Sequence, residues 1–147
     1  MVPIGLGSAA WLVLAMLFEP GNYQRKPQEV TVVANDYAFM PLPAIQSGPI
    51  VIGFTNQGKV NHEVAIGRLK PTVTVDQYVK TPPGPERLAL LDAITGILIA
   101  GAGKTADGKL SANLVKDATY VVWCNFRDKP DAPQHMTLGM YTGFTPR

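Results

Sequence analysis

The chain of 147 residues carries two histidines, one cysteine and five methionines. Four of these side chains fall in an order that suits a single metal ion. His62 stands in NHEVAIG at the head of a strand-like stretch, Cys124 ends the apolar run TYVVWC, and His135 and Met140 follow in HMTLGM. Two imidazoles, a thiolate and a distant thioether make the trigonal His2Cys copper set with a weak axial sulfur. Copper that alternates between Cu(I) and Cu(II) needs soft and borderline donors together, so the set points to one-electron transfer rather than hydrolysis. A single cysteine allows no internal disulfide, and no CxxC pair of the zinc or iron–sulfur kind is present. Asp128, Asp131 and Glu63 have no nucleophile or spare base near them in sequence; they read as solvated surface carboxylates, and the chain as no enzyme. Met40 and Met136 lack ligand spacing and read as core or rim.

These donors must be held by strands. Residues 29–39 (EVTVVANDYAF) alternate and are β-branched, residues 49–56 (PIVIGFTN) put Ile50, Ile52 and Phe54 on one face, and residues 62–69 (HEVAIGRL) read as a third strand. Pro/Gly segments at 40–49 and 56–58 separate them. Residues 119–126 form an apolar strand, and residues 135–145 close the chain as a last one. Strands without βαβ spacing predict an all-β antiparallel sandwich. The middle differs. Residues 76–80 suit a helical turn. Residues 86–100 (ERLALLDAITGILIA) place Leu88, Leu91, Ile94 and Leu98 at helical spacing, with Leu90 and Ile97 as a second stripe, before Gly101 and Gly103. The expectation is a short inserted helix packed on the sheet edge; a surface for a membrane or partner is the other reading.

The N-terminal segment stands apart. Residues 2–18 carry no charge, and Glu19-Pro20-Gly21 stops the run. As a helix that length covers about 25 Å, the lower edge of what a bilayer core needs. It reads as a retained transmembrane anchor over residues 1–21, joined by a linker, 22–28, to a domain over 29–147. A cleaved signal peptide is the alternative, and Arg25 and Lys26, which follow the segment, bias weakly against export. The net charge is only +2 and the basic residues are unclustered, so no nucleic-acid partner is expected.

The pattern F-T-N-Q-G-x3-H-E-V at 54–64, with Y-V-V-W-C at 120–124 and H-M-T-L-G-M at 135–140, resembles the cupredoxins, the type 1 blue copper proteins. The resemblance covers residues 29–145. It implies a Greek-key β-sandwich and one mononuclear copper at one end, with His62, Cys124, His135 and Met140 as ligands. Asn61 would tie the ligand loops together, although the family more often has its asparagine after this histidine, where Glu63 stands. The ten residues between Cys124 and His135 exceed the spacing common in small blue copper proteins. Together with H-x4-M they resemble the type 1 site of copper nitrite reductases. Those enzymes have a histidine where Trp123 stands, and without a third histidine no catalytic copper can be built. The function expected is a membrane-anchored electron carrier on the periplasmic side, exchanging electrons with a membrane redox complex or redox protein. The alternative is an accessory cupredoxin-fold subunit of a respiratory or photosynthetic membrane complex, without copper or without a redox role.

Overall fold

The computed structural model describes residues 25–147. Its strands are β1 (Gln28–Asn35), β2 (Ala38–Phe39), β3 (Gly48–Asn56), β4 (His62–Leu69), β5 (Leu91–Ala100), β6 (Leu110–Leu114), β7 (Tyr120–Trp123) and β8 (Tyr141–Phe144). They form two four-stranded sheets in the orders β2-β1-β3-β6 and β5-β4-β7-β8. All pairings are antiparallel except β1 with β3, which run parallel, so the expectation of a wholly antiparallel sandwich is corrected there.

Period-2 alternation decides which side chains face inward. β1 buries Val30, Val32 and Ala34, and β3 buries Ile50, Ile52 and Phe54. They meet Val64, Ile66, Val122 and Leu98 of the second sheet in one apolar core. Each such side chain contributes about 1.5–3 kcal/mol by leaving water. β7 does not alternate, because all four of its residues are buried. The outer face of its sheet is covered by a short helix, α1 (Val75–Lys80), and a second, α2 (Pro85–Leu88), sets Arg87 over the Tyr78 ring of α1. There Ala65, Leu69, Tyr78, Leu91, Val121, Trp123 and Met136 form a second core. Thr74 caps α1 by accepting from the Gln77 amide (3.1 Å), and Tyr78 sets its ring 5.1 Å from that of Trp123.

The helix expected over 86–100 is not formed. Only Pro85–Leu88 is helical; Leu91–Ala100 is an edge strand paired with β4. Its register shifts twice, between Ile66 and Gly67 and between Arg68 and Leu69, and each shift inserts an unpaired residue, Thr95 and Asp92. Each inserted residue stretches the period of 2 to an interval of three, so Leu91, Ile94 and Ile97 share one face and imitate part of a helical stripe, whereas Leu98 faces the other way into the main core. The β-branched residues Ile94, Thr95, Ile97 and Ile99 favour the strand. Likewise, only the end of the expected last strand is extended: His135–Leu138 is a 3-10 turn, and pairing begins at Tyr141. The expected anchor over 1–21 lies outside the described residues. Among the described residues, no helix is long and apolar enough to cross a membrane.

Candidate metal centre

The donors sit where strands of the second sheet end. His62 is the first residue of β4, and Cys124 directly follows β7, its antiparallel neighbour. His135 opens the 3-10 turn, and Met140 is the last residue before β8. A net of main-chain bonds fixes this end. The Cys124 amide donates to Met140 O (3.2 Å), the Met140 amide to His135 O (3.0 Å), and the Met136 amide to Cys124 O (2.8 Å). Gly139, at φ 105°, takes the left-handed conformation that ends the turn and admits these bonds. The ten-residue excursion after Cys124 closes on itself, because the His135 amide donates to Phe126 O (2.8 Å). The long loop therefore returns His135 to the side of Cys124, with Nδ1 3.6 Å from Sγ.

His62, Cys124 and His135 converge, with donor atoms within 4.8 Å of one another, and all three side chains are buried. His62 Nδ1 lies 3.1 Å from His135 Nδ1, and Cys124 Sγ lies 3.9 Å and 3.6 Å from those two nitrogens. A triangle with those sides has a point about 2.1 Å from every corner, close to the about 2.0–2.3 Å that imidazole nitrogen and thiolate sulfur keep from a first-row metal. The donor set thus fits one mononuclear type 1 copper, and Met140, tied through its main chain to Cys124 and His135, is wholly buried.

The same architecture is found in solved structures. An auracyanin from the photosynthetic bacterium Roseiflexus castenholzii superposes with a TM-score of 0.53 at 18% identity, covering 82% of this chain and 97% of that one. Auracyanin B gives 0.54 at 21% identity over 83% and 91% of the two chains. Auracyanin A, a "blue" copper protein from Chloroflexus aurantiacus, gives 0.53 at 16% identity over 83% and 100%. The fold is that of the cupredoxins. No family model matches the sequence, and no curated protein matches it significantly.

On this cupredoxin frame, burial tunes the donors. It pushes the Cys124 thiol up to about 11, against a smaller lowering by the amide hydrogen bonds of Glu63 and Phe126. It lowers the His62 imidazole, as does the neighbouring His135 to a lesser extent. Both effects favour the uncharged forms of Cys124 and His62 until a cation arrives.

Sequence reasoning missed the groups that brace the donors. Glu63 is no solvated carboxylate: its Oε1 accepts from the amide and from Nδ2 of Asn125, both at 2.9 Å. The residue after His62 thereby grips the residue after Cys124, and the Glu63 amide points at Cys124 Sγ (3.4 Å). Asn61, expected in that role, instead accepts from the Ala102 amide on the surface (3.3 Å). Asn56, buried at the end of β3, donates to Val60 O, Ala100 O and Gly101 O and braces the approach to His62. Asp128, read as solvated, lies with Oδ1 3.1 Å from His135 Nε2, while its Oδ2 accepts from the Tyr37 hydroxyl at 2.5 Å. That hydrogen bond, ahead of the contact with His135, holds the Asp128 carboxyl below its ordinary range. Of the residues set aside, Asp131 is exposed as expected, Met136 belongs to the second core, and Met40 is at the rim. The one available signal for Glu63 was its position, where the resembling family carries an amide.

Proposed function

We propose that this chain is a blue copper protein that carries single electrons, with His62, Cys124 and His135 as the equatorial ligands and Met140 as the axial one. Three buried donors on one triangle of metal-binding size carry the reading. Copper held there would supply a one-electron couple. The residues do the rest. Strand ends and the main-chain net hold the donors in fixed positions, so little need reorganise when the charge changes. Glu63 and Asn125 lock the two ligand segments together, and the apolar core keeps water from the thiolate. The auracyanin likeness supports this, since one of those proteins is itself a "blue" copper protein. Residues 2–18 would anchor the domain at a membrane on its periplasmic face, within reach of a membrane redox complex or redox protein.

The deciding experiment is a visible spectrum of the copper-loaded, oxidised chain. An intense charge-transfer band from the thiolate is expected, and Cys124→Ser should remove it while the fold persists. A wild-type spectrum in Cys124→Ser would refute the thiolate assignment. A second reading, an accessory subunit with no redox role, is favoured by the exposed Ile94, Ile97 and Ile99 on edge strand β5. If such a subunit binds no copper, the wild-type chain would show no band at all.

A further inference from the structure

The two ligand histidines are braced differently. His62 Nε2 is buried with no hydrogen-bond partner, and the nearest carboxylate oxygen, on Asp36, is 4.0 Å away. His135 Nε2 has a carboxylate at 3.1 Å, and that carboxylate is itself held by Tyr37. Tyr37 reaches it from the other sheet, at the two-residue turn between β1 and β2, 91 positions from Asp128. Its φ is 57°, a conformation costly for a bulky side chain, so the surroundings must impose it. The neighbouring Asp36 does part of this: its Oδ1 accepts from the Lys59 amide (2.6 Å). A Cβ on Gly58 would lie 2.5 Å from that same oxygen, so the turn seats only against glycine. Once seated, the Tyr37 ring stands edge-on to His135, with centroids 5.0 Å apart at 86°, and covers His62 at 6.2 Å.

We propose that Asp128, clamped by the Tyr37 hydroxyl, is a positioning residue that presets the tautomer of His135 for metal. A neutral imidazole carries one proton on either nitrogen. With the proton on Nε2, the ring donates to Asp128 and leaves a bare Nδ1 lone pair facing Cys124 and His62. With the proton on Nδ1, the Nε2 lone pair faces an anionic oxygen and the proton occupies the space between the donors. The carboxylate selects the first form before any metal arrives, the role that outer carboxylates play behind metal-bound histidines. No such partner sets His62.

This deepens the metal reading above, and the two can fail separately. If the wild-type chain bound neither zinc nor copper, the metal reading would fall. The tautomer of His135 in the metal-free chain tests the positioning role alone. Ring nitrogen shifts of the full-length, metal-free chain should show His135 protonated at Nε2 in the wild type and in Asp128→Asn, which keeps an acceptor oxygen. Asp128→Ala should give a mixture of tautomers. Zinc, which is redox-silent, should bind about 10- to 100-fold more weakly to Asp128→Ala. Asp128→Asn should recover most of that loss, and Tyr37→Phe, which frees the carboxylate, should fall between the wild type and Asp128→Ala. A pure Nε2-protonated His135 in Asp128→Ala, with zinc affinity within about twofold of wild type, would overturn the proposal. Wild-type behaviour of Tyr37→Phe in both measurements would overturn the clamp.

Discussion

Replacing Asn56 by alanine tests whether one buried amide braces the end of the sandwich that holds His62. The side chain is 1% exposed. Its Nδ2 lies 2.8 Å from Val60 O, 3.1 Å from Ala100 O and 3.0 Å from Gly101 O, so two hydrogens serve three carbonyls. Its Oδ1 accepts from the Gly58 amide at 2.8 Å. The substitution removes the equivalent of three hydrogen bonds at about 1 kcal/mol each, and leaves main-chain groups inside the protein with fewer partners. The expected loss is about 3 kcal/mol. For a chain of this size that corresponds to a fall of roughly 10 °C in Tm. Urea unfolding of the metal-free chain, with an unchanged dependence on denaturant, would measure it. A loss below about 1 kcal/mol would refute the reasoning, because it would mean water replaces the amide at no cost. Zinc affinity should fall as well, since Val60 leads directly into His62.

Three further outcomes follow from the site and the N-terminal segment. The metal-free fold keeps the Cys124 thiol protonated up to about 11, above the ordinary value of 9.0, so its contribution to stability is complete below pH 9 and is lost as pH rises from 9 toward 11. Thermal unfolding of the metal-free chain across that window should show a decline that Cys124→Ser lacks. The same raised thiol must surrender its proton to a metal, so calorimetry in two buffers near neutral pH should detect about one proton released per zinc bound. Deleting residues 1–21 should release a soluble domain that still takes up copper; a truncated chain that stayed in the membrane fraction would place the membrane contact elsewhere, on β5 first.

The candidate donors were legible because they are scarce and local. With so few histidines and one cysteine, type and order sufficed, and three of the four donors lie within a short stretch of chain. The strands with clean alternation, β1 and β3, were equally plain. The failures share one physical cause, partners distant in sequence. The two inserted residues of β5 make sense only against β4, whose Arg68 ties Asp92 (2.8 Å) into that pairing. Glu63 meets Asn125 62 positions away, so no local pattern could separate it from a surface carboxylate. Tyr37 looked like an ordinary strand residue, although it is the turn that caps the site from the opposite sheet.

The separation of the donors bears on when the site can exist at all. His62 lies 62 positions from Cys124 and 73 from His135, and only the pairing of β4 with β7 brings them side by side. A chain still open at that pairing offers scattered ligands and no triangle, so it competes poorly for a cation. Any metal held here binds the finished structure almost alone, and it adds about 4 kcal/mol of stability when free metal is a thousandfold above Kd. Occupancy would then distinguish completed molecules from incomplete ones and slow the reopening of the strands that carry the ligands.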